Sequence, residues 1–289
     1  MSETPPTPEG ETGFFTVPVY ARKRAKAAPL RLSPTAIATF RQCRQRYKYL
    51  YIDKLGDRYS RSRPYFTMGN HVHATLKDLF KLWPPDQRTL QAMESLLQRN
   101  WRRFRTGFRN RDDERRWAEK ALAQLRAFMA NHDLSAQPVM LEEPVEAEIT
   151  SGLILRGRVD RVDRELDGSL HIIDYKTGNL PGQIDWTQLE LHALALDRCL
   201  PWPVRRVSYL YLGPSLLESM DIPAGRLEEI HWDLLGVARK VRRERQFRPA
   251  PGPWCGNCDF RSICPRSAEV PALNGAEGQL ELWDDLPIE

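Results

Sequence analysis

The feature that most constrains the fold is a predicted β-hairpin in the middle of the chain. The runs 153–164 and 169–176 consist largely of β-prone residues, and the dipeptide Asp167-Gly168 lies between them. A dipeptide of this kind between two β-prone runs is a strong local signal for a tight turn that pairs the runs as antiparallel strands. The hairpin therefore fixes which residues of the two runs lie side by side.

The same hairpin brings chemically active side chains together. Asp160 returns alongside Asp174, and Lys176 lies on the same strand face as Asp174 because side chains on one face repeat every two residues. Two carboxylates and a lysine at one strand end can bind a divalent metal and steer a water molecule, as phosphodiester hydrolysis requires. The alternative is a surface hairpin with merely solvated acids, which is our expectation for Asp163 and Asp167.

The charge distribution favours a polyanionic partner. The chain of 289 residues has a formal net charge of +5, but residues 267–289 hold six acidic and no basic residues, so the remainder carries +11. Basic clusters recur at 22–24, 102–105, 115–116 and 239–243. Together they favour nucleic acid, because binding of basic side chains to phosphates releases condensed counterions.

The sequence gives no sign of a membrane protein. No apolar run approaches the length of a membrane span, and the first residues are acidic and proline-rich, unlike a secretion signal. We therefore expect a cytoplasmic protein with no membrane partner.

The apolar periodicity changes along the chain and predicts an α/β fold. Helical spacing dominates the first half, whereas strand-like runs, a helix and another strand follow in the second. We expect an all-helical lobe joined to a core with a mixed central sheet. The predicted helices are 35–51, 68–83, 87–106, 112–132, 186–200 and 227–245, and the predicted strands are 143–149, 153–164, 169–176 and 206–212. The expected parts are a disordered basic arm at 1–29, the helical lobe at 30–138, the core at 139–249, a cysteine segment at 250–266 and an acidic tail at 267–289.

The cysteine pattern predicts a metal site near the C-terminal end. Cys255, Cys258 and Cys264 form a C-x2-C-x5-C run among prolines, and Cys43 lies far upstream. Four thiolates suit either a tetrahedral zinc ion or a cubane iron–sulfur cluster, and the spacing alone leaves both open. We expect the fifth cysteine, Cys199, to be a buried free thiol.

Several motifs together resemble one nuclease family. The order is Gly69 with His73, then Gly157-Arg158-Val159-Asp160, then Asp174-Tyr175-Lys176, with Gln188 twelve residues after the lysine. This series is similar to the PD-(D/E)XK nuclease superfamily and, more specifically, to its RecB-like exonuclease branch. The segment from Leu32 to Ile37, with Cys43 and Tyr47, is also similar to the start of that branch. The resemblance covers residues 31–266 and implies a restriction-endonuclease-like core.

The resemblance implies a role for each of these residues. Asp160 and Asp174 would bind Mg²⁺ or Mn²⁺, with His73 and the Tyr175 carbonyl as further ligands. Oxygen ligands suit Mg²⁺, and an imidazole makes Mn²⁺ more acceptable. Lys176 would orient the attacking water or stabilise the transition state.

Two more positions complete the expected site. Gln188 would hold Lys176 or a phosphate. The branch usually has tyrosine four residues after this glutamine, whereas this chain has His192, which we expect to contact a phosphate. His71 is an alternative metal ligand to His73, but it lies on another helix face.

The resemblance also bears on the cysteines. Several RecB-like nucleases carry one cysteine before the nuclease core and three after it, and these ligate a [4Fe–4S] cluster. Cys43, Cys255, Cys258 and Cys264 match that layout, so the resemblance implies a structural [4Fe–4S] cluster, with Zn²⁺ as the alternative.

The expected function is that of a DNA nuclease in repair or recombination. By resemblance, it would be an exonuclease on single-stranded DNA or DNA ends, with a helicase as a possible partner. The alternatives are a nuclease that processes spacers in CRISPR adaptation and a non-cleaving, DNA-binding iron–sulfur protein derived from a nuclease. The intact set of acids, lysine and glutamine argues against the non-cleaving alternative.

The acidic tail carries one more motif. Gln279, Leu280, Leu282 and Trp283 belong to the stretch Gln-Leu-Glu-Leu-Trp. It resembles the peptide with which bacterial replication and repair proteins dock on the sliding clamp, where leucine and aromatic anchors fill pockets. The alternative is that these apolar residues fold back on the domain.

Overall fold

A computed structural model of the chain describes residues 28–267. The predicted basic arm falls almost entirely outside this range, and so does the predicted clamp peptide with Gln279, Leu280, Leu282 and Trp283. Within the range, no helix has both the length and the apolar character needed to cross a membrane.

The centre of the structure is a six-stranded mixed sheet. Its strands are β1 (Leu30–Leu32), β2 (Met140–Thr150), β3 (Leu153–Arg164), β4 (Leu170–Lys176), β5 (Val204–Tyr211) and β6 (Leu216–Asp221). The order is β1-β3-β4-β5-β6, and β2 pairs with the other edge of β3. The pairs β1–β3 and β4–β5 are parallel, and the other pairs are antiparallel.

Helices cover both faces of this sheet. They are α1 (Pro34–Gln42), α2 (Arg44–Tyr47), α3 (Gly56–Tyr59), α4 (Pro64–Leu82), α5 (Leu90–Trp101), α6 (Arg111–Asn131), α7 (Thr187–Cys199) and α8 (Arg226–Arg243). A π-helical turn covers Lys48–Ile52, and 3₁₀ turns cover Pro85–Gln87, Pro253–Asn257 and Arg261–Ile263. The predicted α/β class with a mixed central sheet is therefore confirmed.

Two hydrophobic cores lie on opposite faces of the sheet. One packs α1, α7 and α8 against strand residues such as Val162 and Ile172. The other packs α4, α5 and α6 against Ile173, Tyr175 and Leu210. Because neighbouring strand residues point to opposite faces, β4 contributes to both cores, and its C-terminal end is held between the two helical layers.

The connection from β4 to β5 positions one side of the site. Parallel neighbours need a crossover, and here α7 supplies it. The chain leaves β4 at Lys176 and enters α7 at Thr187, so the first turn of α7 lies near the end of β4. Gln188 is in that turn.

The structure differs from the sequence-based prediction in three places. The first half is not all-helical, because β1 joins the central sheet beside β3. The predicted helix 35–51 is broken at Cys43, whose backbone is extended (φ −153°, ψ 108°). Apolar spacing continues through this break, so periodicity could not reveal it. The edge strand β6 was not predicted, since most of its residues are exposed and lack a buried face. The division into lobe, core and cysteine segment remains a proposal.

Candidate active site

The predicted β-hairpin is present, and its turn has the backbone conformation and hydrogen bond that an Asp-Gly turn favours. Gly168 adopts a left-handed backbone (φ +84°), and the Ser169 amide donates to Asp167 Oδ1 at 2.9 Å. The strands pair in register up to Arg161 opposite Ile173. Asp160 and Asp174 are the next residues along their strands, so the turn sets them side by side.

One group of polar side chains forms around Asp174. Lys176 Nζ lies 3.0 Å from Asp174 Oδ2, and Gln188 Nε2 donates to Asp174 Oδ1 at 3.0 Å. Lys176 Nζ also donates to Gln188 Oε1 at 3.3 Å. The three side chains therefore hold one another in a closed arrangement, which we call the lysine triangle. Lys176 Nζ also lies 5.0 Å from the centre of the Tyr209 ring, so its position is fixed from two directions.

A second group forms around Asp160 and contains a residue that the sequence did not predict. Ligand atoms of His73, Glu142 and Asp160 all lie within 4.8 Å of one another. His73 Nδ1 is 3.0 Å from Glu142 Oε1 and 3.5 Å from Asp160 Oδ2. We call these three residues the acid cluster. Asp160 Oδ2 also accepts the Tyr175 amide at 2.8 Å, which ties it to the neighbouring strand.

The charges in the acid cluster support one another. Burial disfavours a charged His73, but the nearby carboxylates, Asp160 above all, raise the pKa of His73 well above its ordinary 6.5. Burial raises the pKa of the Asp160 carboxyl, but the nearby His73 lowers it, and the net result is a pKa below the ordinary value. In the absence of a cation, the imidazolium thus occupies the place of positive charge between the carboxylates.

Glu142 reaches the cluster through an unusual backbone conformation. Its φ is +50°, in the left-handed region that glutamate rarely adopts. It lies between two regular pairs of the β2–β3 ladder, Leu141–Arg161 and Glu143–Val159, and so stands opposite Asp160. Strained residues of this kind cluster at functional sites, where the surrounding structure compensates for their cost.

The donors of the acid cluster fit a hard divalent cation. Carboxylate oxygens suit Mg²⁺, and one imidazole is compatible with Mn²⁺. The resemblance implied one set of metal ligands, and the structure places the side chains of that set in two groups. His73 and Asp160 lie in the acid cluster with Glu142, whereas Asp174 lies in the lysine triangle. The one sequence signal for Glu142 is that it forms a pair of adjacent acids with Glu143.

Tyr175 connects the two groups through its backbone. Its ring lies edge-on to His73 and Phe128, and burial raises the pKa of its hydroxyl to about 12. Its amide binds Asp160, while metal binding by its carbonyl stays a prediction.

The two other histidines that the sequence analysis singled out are buried. His192 is 4 % exposed, and a Cβ added at Gly157 would lie 2.7 Å from its Nε2. A phosphate contact by His192, which stays a prediction, would require the residues over it to move. His71 is 1 % exposed on another face of α4, and its Nε2 lies 2.9 Å from the Phe104 carbonyl oxygen, away from the acid cluster.

The two hairpin acids that the sequence analysis set aside already have structural partners. Arg161 Nε donates to Asp163 at 2.8 Å, and Asp167 accepts the Ser169 amide in the turn. Asp163 is thus ion-paired to a buried arginine, so the expectation that it is merely solvated is wrong. That neither acid takes part in the chemistry stays a prediction.

The four predicted cysteine ligands line one cavity, which we call the cysteine cavity. Cys43, Cys255, Cys258 and Cys264 all face it, together with aromatic and arginine residues. The break of the first helix at Cys43 is what brings this residue to the cavity wall. Burial raises the pKa of the Cys258 thiol, and the nearby Arg46 opposes this effect.

The segment that carries the last three cysteines is anchored on the helical part of the chain. Tyr49 Oη donates to the Ile263 carbonyl at 3.1 Å, and Arg63 pairs with Asp259 at 2.7 Å. Cys199 is exposed in the last turn of α7, so its predicted burial is wrong. The buried positions of α7 end at Leu196, and the final turn faces solvent.

A comparison with family models identifies the family, and searches of known proteins give several relatives. The family model described as PD-(D/E)XK nuclease superfamily matches residues 31–265. The Gene 69 protein of Mycobacterium phage D29 is 27% identical over 271 residues, which cover 82% of this chain and 97% of that protein.

Longer proteins match over part of their length. An ATP-dependent helicase/deoxyribonuclease subunit of Streptococcus mutans is 31% identical over 157 residues, or 52% of this chain and 14% of that protein. The protein of the same name from Streptococcus agalactiae is 25% identical over 162 residues, or 55% of this chain and 15% of that protein. The matched region is thus a small part of these two streptococcal proteins. A crystal structure of a protein from Eubacterium rectale aligns with a TM-score of 0.44 and 11% identity, covering 85% of this chain and 90% of that one.

Proposed function

Since the chain belongs to the PD-(D/E)XK nuclease superfamily, we propose that it is a divalent-metal-dependent deoxyribonuclease of the RecB-like branch. The observation that carries this proposal is the meeting of the acid cluster and the lysine triangle at the ends of β3 and β4. One group offers cation ligands and the other a fixed ammonium group, with Asp160 and Tyr175 hydrogen-bonded between them. Phosphodiester hydrolysis requires both functions at one place.

The acid cluster would hold Mg²⁺ or Mn²⁺ through His73, Glu142 and Asp160, and Asp174 lies on the strand next to them. When bound, such a cation supplies Lewis-acid stabilisation of the negative charge that develops on the phosphate. His73 must release the proton on Nδ1 before this atom can act as a ligand, because metal binding requires the neutral ring.

Lys176 acts on the phosphate side of the reaction. Asp174 and Gln188 hold its ammonium group in place, so it donates to the attacking water or to a phosphate oxygen without further ordering. Such prearranged donors lower the barrier because they need no reorganisation as charge develops. Gln188 donates to Asp174 and accepts from Lys176, and so keeps both side chains oriented.

The substrate that we propose is DNA, cleaved as single strands or from ends in repair or recombination. The word deoxyribonuclease in the names of the streptococcal relatives supports DNA, and the word helicase supports a helicase partner. Docking of Gln279, Leu280, Leu282 and Trp283 on a sliding clamp is a further proposal that rests on the sequence.

We also propose a [4Fe–4S] cluster in the cysteine cavity. Cys43, Cys255, Cys258 and Cys264 line the same cavity, although the chain brings them from two distant segments. The support for a cubane cluster over a zinc ion is the resemblance to iron–sulfur nucleases with one cysteine before the core and three after it. Brown anaerobically purified protein with bound iron would support the cluster, whereas stoichiometric zinc without iron would exclude it.

The test of the nuclease proposal compares four proteins on end-labelled single-stranded DNA, duplex DNA and RNA with Mn²⁺ or Mg²⁺. We expect the wild type to cleave DNA, and Asp174→Ala and Lys176→Ala to be inactive. Asp197→Ala, an exposed acid on α7, serves as the matched control and should cleave normally. Equal cleavage by all four proteins, or none by the wild type, would contradict the proposal, and cleavage of RNA alone would refute the DNA assignment.

A further inference from the structure

The segment between α5 and α6, which we call the arginine loop (residues 102–110), is held firmly against α4. Thr67 Oγ1 donates to the Thr106 carbonyl at 2.7 Å, one turn before His71 on the same helix. Gly107 has φ +87°, and a Cβ at this position would lie 2.7 Å from the Arg63 backbone. The loop therefore has a defined backbone although it is on the surface.

His71 supports the loop from below. Its Nε2 lies 2.9 Å from the Phe104 carbonyl oxygen, which can only accept, so Nε2 carries the proton. The buried imidazole thus has a structural task outside the acid cluster.

Aromatic rings of the loop and of the two helices next to it form a stack with one open end. His71 lies 4.2 Å from the Phe104 ring at 27°, and 4.7 Å from the Trp101 ring at 35°. Trp101 is followed by Phe108 at 5.9 Å and 16°. Phe104 is 38 % exposed although His71 lies under it. A ring that is supported on one side and open to solvent can receive another flat group.

The surroundings of Phe104 are strongly basic. Residues 99–111 contain six arginines and no acidic residue. Arg105 is fixed by Glu114, but Arg102 and Arg103, which precede Phe104 and are exposed, form no ion pair within residues 28–267. Exposed arginines beside an open aromatic ring match the sugar-phosphate backbone and the bases of an unpaired strand.

We infer that the arginine loop binds single-stranded DNA, with Phe104 stacking on a base and Arg102 and Arg103 contacting phosphates. This inference rests on the proposed function and adds a substrate contact to it. A single strand is favoured over a duplex, because the bases of a duplex are already stacked on one another and cannot cover the ring. Helix α4 joins the loop to the site, since His71 supports Phe104 and His73 belongs to the acid cluster.

The test measures binding without cleavage. Proteins with the Asp174→Asn change are titrated, without added metal, into a fluorescein-labelled oligothymidylate and into a labelled chain of the same length made of abasic sites. We expect Phe104→Ala to weaken oligothymidylate binding by about 10-fold to 100-fold, the usual effect of losing a base–aromatic stack, and Phe104→Trp to retain it. Phe104→Ala should leave abasic binding unchanged, whereas Arg103→Gln should weaken both.

Trp232→Ala is the matched control. Trp232 is 59 % exposed on α8 beside Glu228, Glu229 and Asp233, so it is an open ring in acidic surroundings, and its loss should not alter binding. Equal oligothymidylate affinity of the parent and Phe104→Ala would overturn the inference, as would equal losses on both probes or stronger binding of duplex than of single strand. Thermal unfolding checks that each variant folds, and Phe104→Trp shows whether a ring alone restores binding.

Failure of this inference is distinct from failure of the proposed function. If wild-type protein cleaves DNA while Phe104 has no effect on binding, the nuclease proposal stands and the loop contact is wrong. If Phe104 governs binding but wild-type protein does not cleave, the loop contact stands and the nuclease proposal is wrong.

Discussion

The acid cluster and the cysteine cavity are both candidate metal sites, but the chain builds them in different ways. The acid cluster takes its residues from two paired strands and a long helix, where hydrogen bonds hold His73 and Asp160 before any cation binds. The cysteine cavity takes three of its four ligands from a segment of short 3₁₀ turns, and the fourth from a break between two helices. Regular structure thus supports the first site, and the second has few elements of its own to support it.

Because of this difference, changes at the two sites should affect cleavage and stability to different extents. A site that is already ordered by the protein can lose its metal and keep its fold, whereas a segment of short turns gains much of its folding free energy from the group it binds. We therefore expect changes in the acid cluster to affect cleavage far more than stability, and changes in the cysteine cavity to affect stability first.

The largest expected effect is that of Asp160→Asn on cleavage. Asparagine removes a charge from the cation ligands and leaves His73 with Glu142 alone, so the rate on single-stranded DNA should fall by about 10²–10³-fold. The variant should unfold within about 3 °C of the wild type, because the shape of the side chain and the β3–β4 hairpin are retained. Initial rates over a Mn²⁺ titration and thermal unfolding measure the two properties.

Asp197→Asn on α7 is the control for this change and should match the wild type in both measurements. A normal rate for Asp160→Asn would contradict its role as a ligand. A large loss of stability would show instead that the acid cluster is not independent of the fold.

The next largest effect is that of Cys255→Ala on stability. If the cysteine cavity binds a cluster, loss of one ligand costs several kcal/mol and lowers the Tm by roughly 10 °C. The matched control is Cys199→Ala, which removes an exposed thiol on α7 and should leave the Tm nearly unchanged. An equal Tm for the two variants would mean that residues 250–266 are held by the protein alone, and the contrast between the two sites would disappear.

The parts of the site that could be predicted from sequence are those with a local signal. Asp167-Gly168 determines the turn, and the turn determines that Asp160 lies beside Asp174. This hairpin could therefore be predicted from the sequence alone. Glu142 could not be found in this way. Its position depends on the pairing of β2 with β3 and on a left-handed backbone, and neither leaves a periodic pattern in the sequence.

The same reasoning explains the errors in the fold. The break at Cys43 interrupts a helix whose apolar residues continue at helical spacing on both sides, so the pattern predicts one helix. The three residues of β1 are too few to show strand alternation, and their partner is β3, more than a hundred residues later. Exposure of Cys199 depends on where α7 ends relative to the sheet, which composition does not encode.

A smaller effect should follow from crowding behind the acid cluster. Gly157 on β3 faces His192, and a Cβ there would come within 2.7 Å of the imidazole. Gly157→Ala should therefore lower stability by about 1–3 kcal/mol, as overpacking does elsewhere. His192→Ala should reverse part of this loss in the double variant, and chemical denaturation of the four proteins measures the coupling. If the two losses simply add, the two residues do not press on each other.

The smallest effect should be that of removing divalent cations on the stability of the intact protein. EDTA should stop cleavage completely, but the Tm should fall by no more than about 4 °C, because weak binding of millimolar cations contributes only about 1–2 kcal/mol by mass action. Hydrogen bonds from the ring of His73 and the Tyr175 amide already occupy the carboxylates when the cation is absent, so its loss leaves no bare buried charge. Unfolding curves with EDTA, with Mg²⁺ and with Ca²⁺ measure this directly. A fall as large as that caused by Cys255→Ala would show that the acid cluster, too, is assembled by its metal.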